Sequence, residues 1–438
     1  MPTRREWAAA AIGVVFATAL AFLLPPYEAP DEPAHLAYAN YIAEHGELPY
    51  QDDPARQVFG QGHQAPLYYV LAGLFVRVAK NDDRIWVRAR PNPAHRWHGG
   101  MRTDVPNFAQ SALGFPSTRD RLGFYGLRLL SVAASAGTVL AVGAAVRVVL
   151  GASAGAIAAL LVATLPQFAA VSAAVTADDV TALLAALFAW QLLSGLVRPD
   201  DTRHFTRAGV LLGLALLTKK TTMCLLPGTV GALAIAASAG VTDWPGAVRR
   251  GLRVLVPALL LATPVFIRNA LLYGDPLTVD MERRTLPFLV LDRALSDAYF
   301  WTDLPRLVAA SFVGVLGWMN VWLPAPVYWL YGALALVIAG GLVPRLTRGG
   351  AERTALAVAA FFAVACFGGV VHYNRSFPQP QGRFMFVVVA FLAVLAAGGL
   401  LEAARRLRLD PDRLWWGLLV VLLAVDVATI VTVVDFFA

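Results

Sequence analysis

The sequence has 438 residues, of which 58% are hydrophobic and 15% are charged, and its mean hydropathy is +0.60. So apolar a chain has too little polar surface for a soluble protein, which predicts an all-α polytopic membrane protein. Its formal charge of +7 would suggest a nucleic-acid partner in a soluble chain, but in a membrane protein it indicates which loops face the cytoplasm, and no nucleic acid is expected.

Eleven apolar segments are predicted to cross the membrane. The first, residues 7–24, follows Arg4 and Arg5 and ends at Pro25 without a small-residue cleavage site, which favours a retained span over a signal peptide. The others are residues 122–149, 154–175, 180–196, 208–217, 222–238, 252–267, 325–342, 355–371, 384–403 and 414–434. Residues 67–78 are too short and residues 307–322 borderline, so both are expected to lie along the surface or to be re-entrant.

Arginines mark one side of this topology. Six basic clusters fall in short loops on the amino-terminal side: Arg4/Arg5, Arg147, Arg198/Arg203/Arg207, Arg249/Arg250/Arg253, Arg345/Arg348/Arg353 and Arg405/Arg406/Arg408/Arg413. The positive-inside rule therefore places the amino terminus in the cytoplasm and the long loops 25–121 and 268–306 outside. We expect residues 1–438 to form one domain in a bacterial plasma membrane, with these outer loops building a site.

The first outer loop opens with a short acidic helix directly after the first span. Asp31 suits the N-cap and Gly46 the C-cap of a helix over residues 32–45 that lies along the membrane. His35 stands one turn beyond Asp31, so a carboxylate and an imidazole share a face. Two interpretations stay open: Asp31 only caps the helix while Glu32 favours its dipole, or these carboxylates do chemistry.

Charged residues also interrupt the ends of later spans. Asp178 and Asp179 stand at the outer end of one span, where a carboxylate is costly unless it is paired or faces water. Asp179 would alternatively cap the next helix. Lys219 and Lys220 end a half-length span, and one of them is expected to snorkel to lipid head groups while the other faces a site.

Three arginines fall on the same outer side: Arg268, Arg375 and Arg383. Each alone is typical of an interfacial anchor, but together with the two lysines they suit an anion, and phosphate is a usual partner of such side chains.

His63, Tyr68 and Tyr273 share this side with His35 and are candidates for substrate contacts, although surface or interface positions explain them equally well. Asp52 and Asp53 fall on this side too, so a divalent-metal site with the histidines is conceivable, but no paired metal-ligand spacing indicates one and no cofactor is expected. The two cysteines, Cys224 and Cys366, lie in apolar runs and argue against a disulfide framework.

Five short motifs occur in order on the outer side. They are Asp31-Glu32, residues 63–69 (HQAPLYY), residues 213–219 (GLALLTK), Arg268-Asn269 with residues 273–276 (YGDP), and residues 381–383 (QGR). In this order they resemble the GT-C superfamily of integral-membrane glycosyltransferases, closest to the branch of protein O-mannosyltransferases and aminoarabinose transferases. The similarity extends over nearly the whole chain.

The resemblance implies a fold of about 11 transmembrane helices with juxtamembrane helices in the first outer loop. It also implies inverting transfer of a sugar from a polyprenyl-phosphate donor to a hydroxyl on a lipid, glycan or protein at the outer face. Asp31 would be the general base or acceptor orienter, with Glu32 as the second acid. Asp178 or Asp179 would be a further acidic residue, and Lys219 the lysine of the Thr-Lys motif.

The residues themselves agree with this scheme, because preplaced cations stabilise the charge that grows on a departing phosphate. Lys219, Arg268 and Arg383 are assigned that role. Two other classes of protein stay open. A transporter or flippase for lipid-linked sugars would need polar groups reaching both membrane faces, and a lipid-binding protein would not need Asp31.

Overall fold

The computed structural model describes residues 1–80, 84–89, 92, 114–347 and 350–437. The helices of these residues are α1 (Arg4–Leu23), α2 (Glu32–His45), α3 (Leu67–Lys80), α4 (Thr118–Leu150), α5 (Ala152–Ala163), α6 (Pro166–Ser172), α7 (Asp178–Val197), α8 (Arg203–Leu216), α9 (Leu225–Ser238), α10 (Trp244–Tyr273), α11 (Val279–Thr285), α12 (Asp303–Gly314), α13 (Ala325–Thr347), α14 (Ala351–Asn374), α15 (Val389–Arg406) and α16 (Pro411–Phe437). Short 3-10 helices occur at Lys220–Cys224, Pro287–Leu289, Ala298–Phe300 and Gly382–Val388. Strands β1 (Val315–Leu316) and β2 (Val321–Trp322) pair antiparallel, with Val315 opposite Trp322.

Nine helical segments in the described ranges are long and apolar enough to cross a membrane, and the pair α5 and α6, bent by 64° at Pro166, would make a tenth. These ten correspond to ten of the eleven predicted spans. The remaining one is α8, whose 14 residues extend about 21 Å, less than the roughly 30 Å of hydrocarbon. The all-α polytopic membrane fold is therefore confirmed.

The two runs that were predicted not to cross are indeed short helices. Helix α3 has 14 residues, packs on α2, and starts with the Leu67 N–H bonded to the Leu217 carbonyl at 2.8 Å. Helix α12 has 12 residues and leads into the small β1–β2 hairpin. Both therefore attach segments of the predicted outer side to the helix bundle.

Contacts at one end of the bundle agree with the predicted cytoplasmic side. Glu6 near the start of α1 is fully buried and ion-pairs with Arg147 at the end of α4. Arg5 pairs with Asp412 at the start of α16. Helix ends that carry predicted cytoplasmic arginines thus lie together. One predicted cytoplasmic arginine, Arg348, lies outside the described residues. The same holds for three parts of the predicted outer loop, residues 81–83, 90–91 and 93–113.

The short helix α8 is held by close packing on α10. A Cβ added at Gly209 would lie 2.4 Å from the Val254 carbonyl oxygen, and one at Gly213 would lie 3.0 Å from the backbone of Ala258. Small residues let two helix backbones approach in this way within a membrane bundle. This contact fixes the end of α8, from which Lys219 follows directly.

Candidate active site

A cleft of about 1000 Å³ opens at the opposite end of the bundle from the Glu6–Arg147 pair. Its polar wall includes residues from distant parts of the chain: Asp31, Gln61, His63, Gln64, Lys219, Lys220, Glu282, Asp292, Arg293, Arg375 and Arg383. Its apolar wall includes Met223, Pro227, Leu286, Cys366 and Phe384. The cleft therefore suits a ligand that has one charged or polar part and one apolar part.

Asp31 does not cap α2, although it stands at the N-cap position. Its backbone is left-handed, with φ 63° and ψ 0°, and its side chain makes no hydrogen bond to the start of the helix. The carboxylate instead accepts a hydrogen bond from Arg383 Nη2 at 2.6 Å in the cleft. A left-handed conformation in a residue other than glycine costs on the order of 1 kcal/mol and is often found at functional sites.

A chain of alternating charges continues from Asp31 into the protein. Arg383 Nη1 lies 3.3 Å from Asp178, and Asp178 lies 2.5 Å from Lys219 Nζ. The side chains of Arg383, Asp178 and Lys219 are 3%, 7% and 10% exposed, so this is a largely desolvated cluster. Burial raises the pKa of Asp31, but the nearby positive charges, Arg383 foremost, and the hydrogen bond from Arg383 together lower it more, so the net pKa lies below its ordinary value.

Close packing next to Arg383 fixes its backbone. The Gly382 N–H donates to Ser311 Oγ at 2.7 Å, and a Cβ added at Gly382 would lie 2.1 Å from the Phe312 backbone nitrogen. A glycine is thus required where the segment before α15 meets α12. This contact holds the guanidinium between Asp31 and Asp178.

A second charged cluster lines the cleft around Glu282. Its carboxylate accepts hydrogen bonds from Lys220 Nζ at 2.7 Å and from the Tyr373 hydroxyl at 2.8 Å, and His63 Nε2 lies 3.7 Å away. Burial raises the pKa of Glu282, but the Lys220 charge and the other partners of the carboxylate together outweigh burial and bring the pKa to about 2. Burial lowers the pKa of His63 to about 4, so the imidazole is neutral at pH 7.

Both lysines thus point to carboxylates at the cleft. The expectation that one of them snorkels to lipid head groups is wrong, because Lys220 forms an ion pair with Glu282 of α11.

Glu32 lies away from the cleft, fully buried against Arg128 of α4. The pair is bidentate, with Arg128 Nε to Glu32 Oε1 and Arg128 Nη2 to Glu32 Oε2 both at 2.8 Å. Glu32 also accepts hydrogen bonds from the backbone N–H groups of Tyr27 and Val175. The Glu32 carboxylate thus accepts four hydrogen bonds and connects the end of α1 to the segment before Asp178. This structural role differs from the predicted role of a second acid.

His35, Tyr68 and Asp179 are buried behind the cleft wall rather than lining it. His35 Nδ1 is hydrogen-bonded to the Tyr69 hydroxyl at 2.9 Å, so the imidazole does not hold Asp31 through that nitrogen. The Tyr68 ring stands edge-on to His35. Asp179 accepts a hydrogen bond from Ser172 Oγ at 2.7 Å and does not cap α7, which begins one residue earlier.

Arg268 and Tyr273 also lie outside the cleft lining. Arg268 donates to the Pro49 carbonyl at 2.7 Å, and the Tyr273 hydroxyl accepts from the Gln51 N–H at 3.2 Å. Both therefore join the end of α10 to residues 49–51. Arg375 does line the cleft and is exposed there.

Residues 122–267, from α4 to α10, match the model of the family described as dolichyl-phosphate-mannose-protein mannosyltransferase. ArnT from Cupriavidus metallidurans bound to undecaprenyl phosphate superposes with a TM-score of 0.55 at 16% identity, over 97% of this chain and 64% of ArnT. The apo state of the same ArnT superposes with a TM-score of 0.55 at 16% identity, over 94% of this chain and 61% of ArnT. The apo oligosaccharyltransferase from Archaeoglobus fulgidus superposes with a TM-score of 0.54 at 15% identity, over 99% of this chain and 55% of that protein.

The chain has the GT-C fold. It spans less than two thirds of the length of each of these solved proteins. A search of curated proteins finds no match. In this GT-C fold the cleft brings together Asp31, Lys219 and Arg383 from segments up to 352 positions apart, with Asp178 directly behind them.

Three residues of the cleft and its support were missed in the sequence, namely Glu282, Tyr373 and Arg128. Glu282 belongs to a charge-rich stretch, residues 280–284, which is typical of a solvent-exposed surface and therefore did not indicate a buried carboxylate. Arg128 is a lone charge within a predicted span, and such an intramembrane charge is a signal that could have revealed it.

Proposed function

We propose that this protein is a glycosyltransferase that moves a sugar from a polyprenyl-phosphate donor to a hydroxyl group at the outer face of the membrane. The fold is shared with ArnT, which was solved with undecaprenyl phosphate bound, and the matched family is described by a dolichyl-phosphate-mannose donor. The observation that carries the proposal is Arg383, which is buried at the cleft between the carboxylates of Asp31 and Asp178.

The donor phosphate is assigned to the end of the cleft that holds Lys219 and Arg383. A phosphodiester carries one negative charge, and the polyprenyl phosphate gains a second when its bond to the sugar breaks. Preorganised cations in a desolvated site stabilise such growing charge, and each is typically worth about 100 to 1,000-fold in rate. Lys220 and Arg375 line the same cleft and contribute to its positive field, whereas Arg268 is directed to the Pro49 carbonyl.

Asp31 is assigned as the base. The acceptor oxygen bonds to the anomeric carbon while the bond from that carbon to the phosphate oxygen breaks on the opposite face, which inverts the centre. The acceptor proton passes to the Asp31 carboxylate. Once protonated, Asp31 no longer holds Arg383 Nη2 by charge, so this side of the guanidinium becomes free to pair with the departing phosphate while Nη1 stays with Asp178. Proton transfer and leaving-group stabilisation are thus coupled through one ion pair.

Asp178 and Glu32 are assigned supporting roles. Asp178 contacts both Lys219 and Arg383 and orients them toward the cleft, while Glu32 with Arg128 positions the backbone on either side of Asp31. The scheme uses no metal or other cofactor, which stays a prediction. The lipid, glycan or protein nature of the acceptor, the plasma membrane location and the outer-face orientation are likewise part of the proposal.

Binding of undecaprenyl phosphate to the purified protein in lipid nanodiscs tests this proposal. We expect binding by the wild type, and a loss of about 10-fold or more in Arg383→Gln, because a hydrogen bond to a charged group is worth roughly 1.5–3 kcal/mol. Arg405→Gln is the matched control, since Arg405 is exposed and pairs with Glu402 at the far end of α15. No binding by the wild type, or equal binding by Arg383→Gln, would overturn the proposal.

A further inference from the structure

A turn of uncharged polar residues forms one wall of the cleft. Gln61, His63 and Gln64 all line the cleft, and each carries a buried side-chain atom that has no hydrogen-bond partner among the described residues. These atoms are Oε1 of Gln61, Nδ1 of His63 and Oε1 of Gln64. A buried polar atom without a partner destabilises the protein that contains it. Three of them in one short turn indicate groups that a ligand completes.

The backbone of this turn is fixed in place. The Gln64 N–H bonds to the Gln61 carbonyl at 2.9 Å, and the His63 carbonyl accepts from Thr278 Oγ1 at 3.0 Å. A Cβ added at Gly62 would meet the Gln51 side-chain amide, which is itself held by two hydrogen bonds to the Val58 backbone. The terminal torsion of glutamine is broad, however, so each amide can turn into the cleft, with Gln64 Nε2 then giving up its 3.2 Å contact with His63 Nε2.

The turn carries no charge at neutral pH, because burial keeps His63 neutral. It therefore differs from the neighbouring Lys219 and Arg383, which are suited to an anion. Amide and imidazole groups both donate and accept hydrogen bonds, which matches hydroxyl groups rather than a formal charge. A cleft with cations at one locus and neutral polar groups at another fits a phosphate that carries a polyhydroxyl ring.

We propose that the turn of Gln61, His63 and Gln64 binds the hydroxyl groups of the sugar on the donor lipid and so selects the sugar. This inference rests on the proposed function and adds to it the residues that recognise the sugar. A site built to hydrogen-bond a hydroxyl discriminates strongly against a sugar that does not present one there, because its own polar groups are then left unpaired.

The test compares the binding of bare undecaprenyl phosphate with that of undecaprenyl-phosphate mannose, glucose and galactose in nanodiscs. We expect the wild type to bind at least one hexosyl lipid about 10-fold more tightly than the bare lipid. Gln61→Leu and Gln64→Leu should each reduce this preference about 5-fold or more, since each removes a hydrogen bond worth on the order of 1 kcal/mol. Both should leave the affinity for the bare lipid within about 2-fold.

Gln57→Leu is the matched control, because Gln57 is exposed on the same loop and does not line the cleft. Should a leucine variant fail to fold, Gln61→Asn and Gln64→Asn keep the amide but withdraw it by one methylene, and we expect the same loss of preference. If the wild type binds all four lipids equally, or the variants keep its preference, the inference is overturned while the proposed function stands. If no lipid binds, the proposed function fails as well.

Discussion

The buried pair of Glu32 and Arg128 provides a sharp prediction about the acidic residues that follow the first span. Both side chains are fully buried and joined by two hydrogen bonds of 2.8 Å. Arg128 also donates to the carbonyls of Ala21, Leu24 and Pro25 at the end of α1. Breaking a buried ion pair by removing one partner costs about 3–5 kcal/mol, because the other charge is left uncompensated. Glu32→Gln and Arg128→Met should each lose about this much unfolding free energy.

The double variant distinguishes an ion pair from two independent contributions. Because neither charge is then left unpaired, Glu32→Gln combined with Arg128→Met should lose clearly less than the sum of the two single losses. Denaturant titration in detergent micelles, followed by tryptophan fluorescence, measures all four proteins. The assigned role would be refuted by a Glu32→Gln protein that is as stable as the wild type but has lost transfer, since Glu32 would then act in the chemistry.

The remaining predictions concern the phosphate site, pH and topology. Lys219→Ala should lower turnover about 100 to 1,000-fold in a folded protein, and a rate equal to the wild type would remove Lys219 from the site. Burial lowers the pKa of His63 from 6.5 to about 4, so an unfolded chain takes up a proton that the folded one refuses. The free energy of unfolding should therefore fall as the pH falls from 6.5 to about 4, and it should fall less in His63→Gln. If the free energy of unfolding of the two proteins has the same dependence on pH, the assignment to His63 is refuted. In a variant without native cysteines, an impermeant maleimide should label a cysteine at Ser117 but not one at Thr347 in intact cells, and the reverse would invert the topology.

The helix bundle and the main cleft residues could be predicted because both depend on simple periodic signals. Apolar length identifies the spans, and successive helix ends alternate between the two sides of a membrane. Asp31, Asp178, Lys219 and Arg383 each stand at a helix end on the same predicted side, and the structure places them within one network.

Side-chain direction could not be predicted in the same way. Asp31 and Glu32 are adjacent carboxylates, yet the left-handed backbone at Asp31 turns one into the cleft while the other meets Arg128. No local pattern in the sequence predicts that conformation. Arg128 is 96 positions from Glu32, so their contact depends on how α4 packs against the end of α1. Glu282 lies on α11, whose 7 residues are too few to show a helical period.

The central claim is that Asp31 accepts the acceptor proton, and Asp31→Asn tests it most directly. The measurement is release of undecaprenyl phosphate from a hexosyl donor lipid by membrane vesicles that contain the protein and the acceptors of its host cell. Asp280→Asn is the control, since Asp280 is exposed on α11. The account predicts that Asp31→Asn still binds donor but transfers about 100 to 10,000-fold more slowly, while Asp280→Asn is unaffected. Near wild-type release by Asp31→Asn would contradict it and leave Asp178 as the carboxylate to examine next.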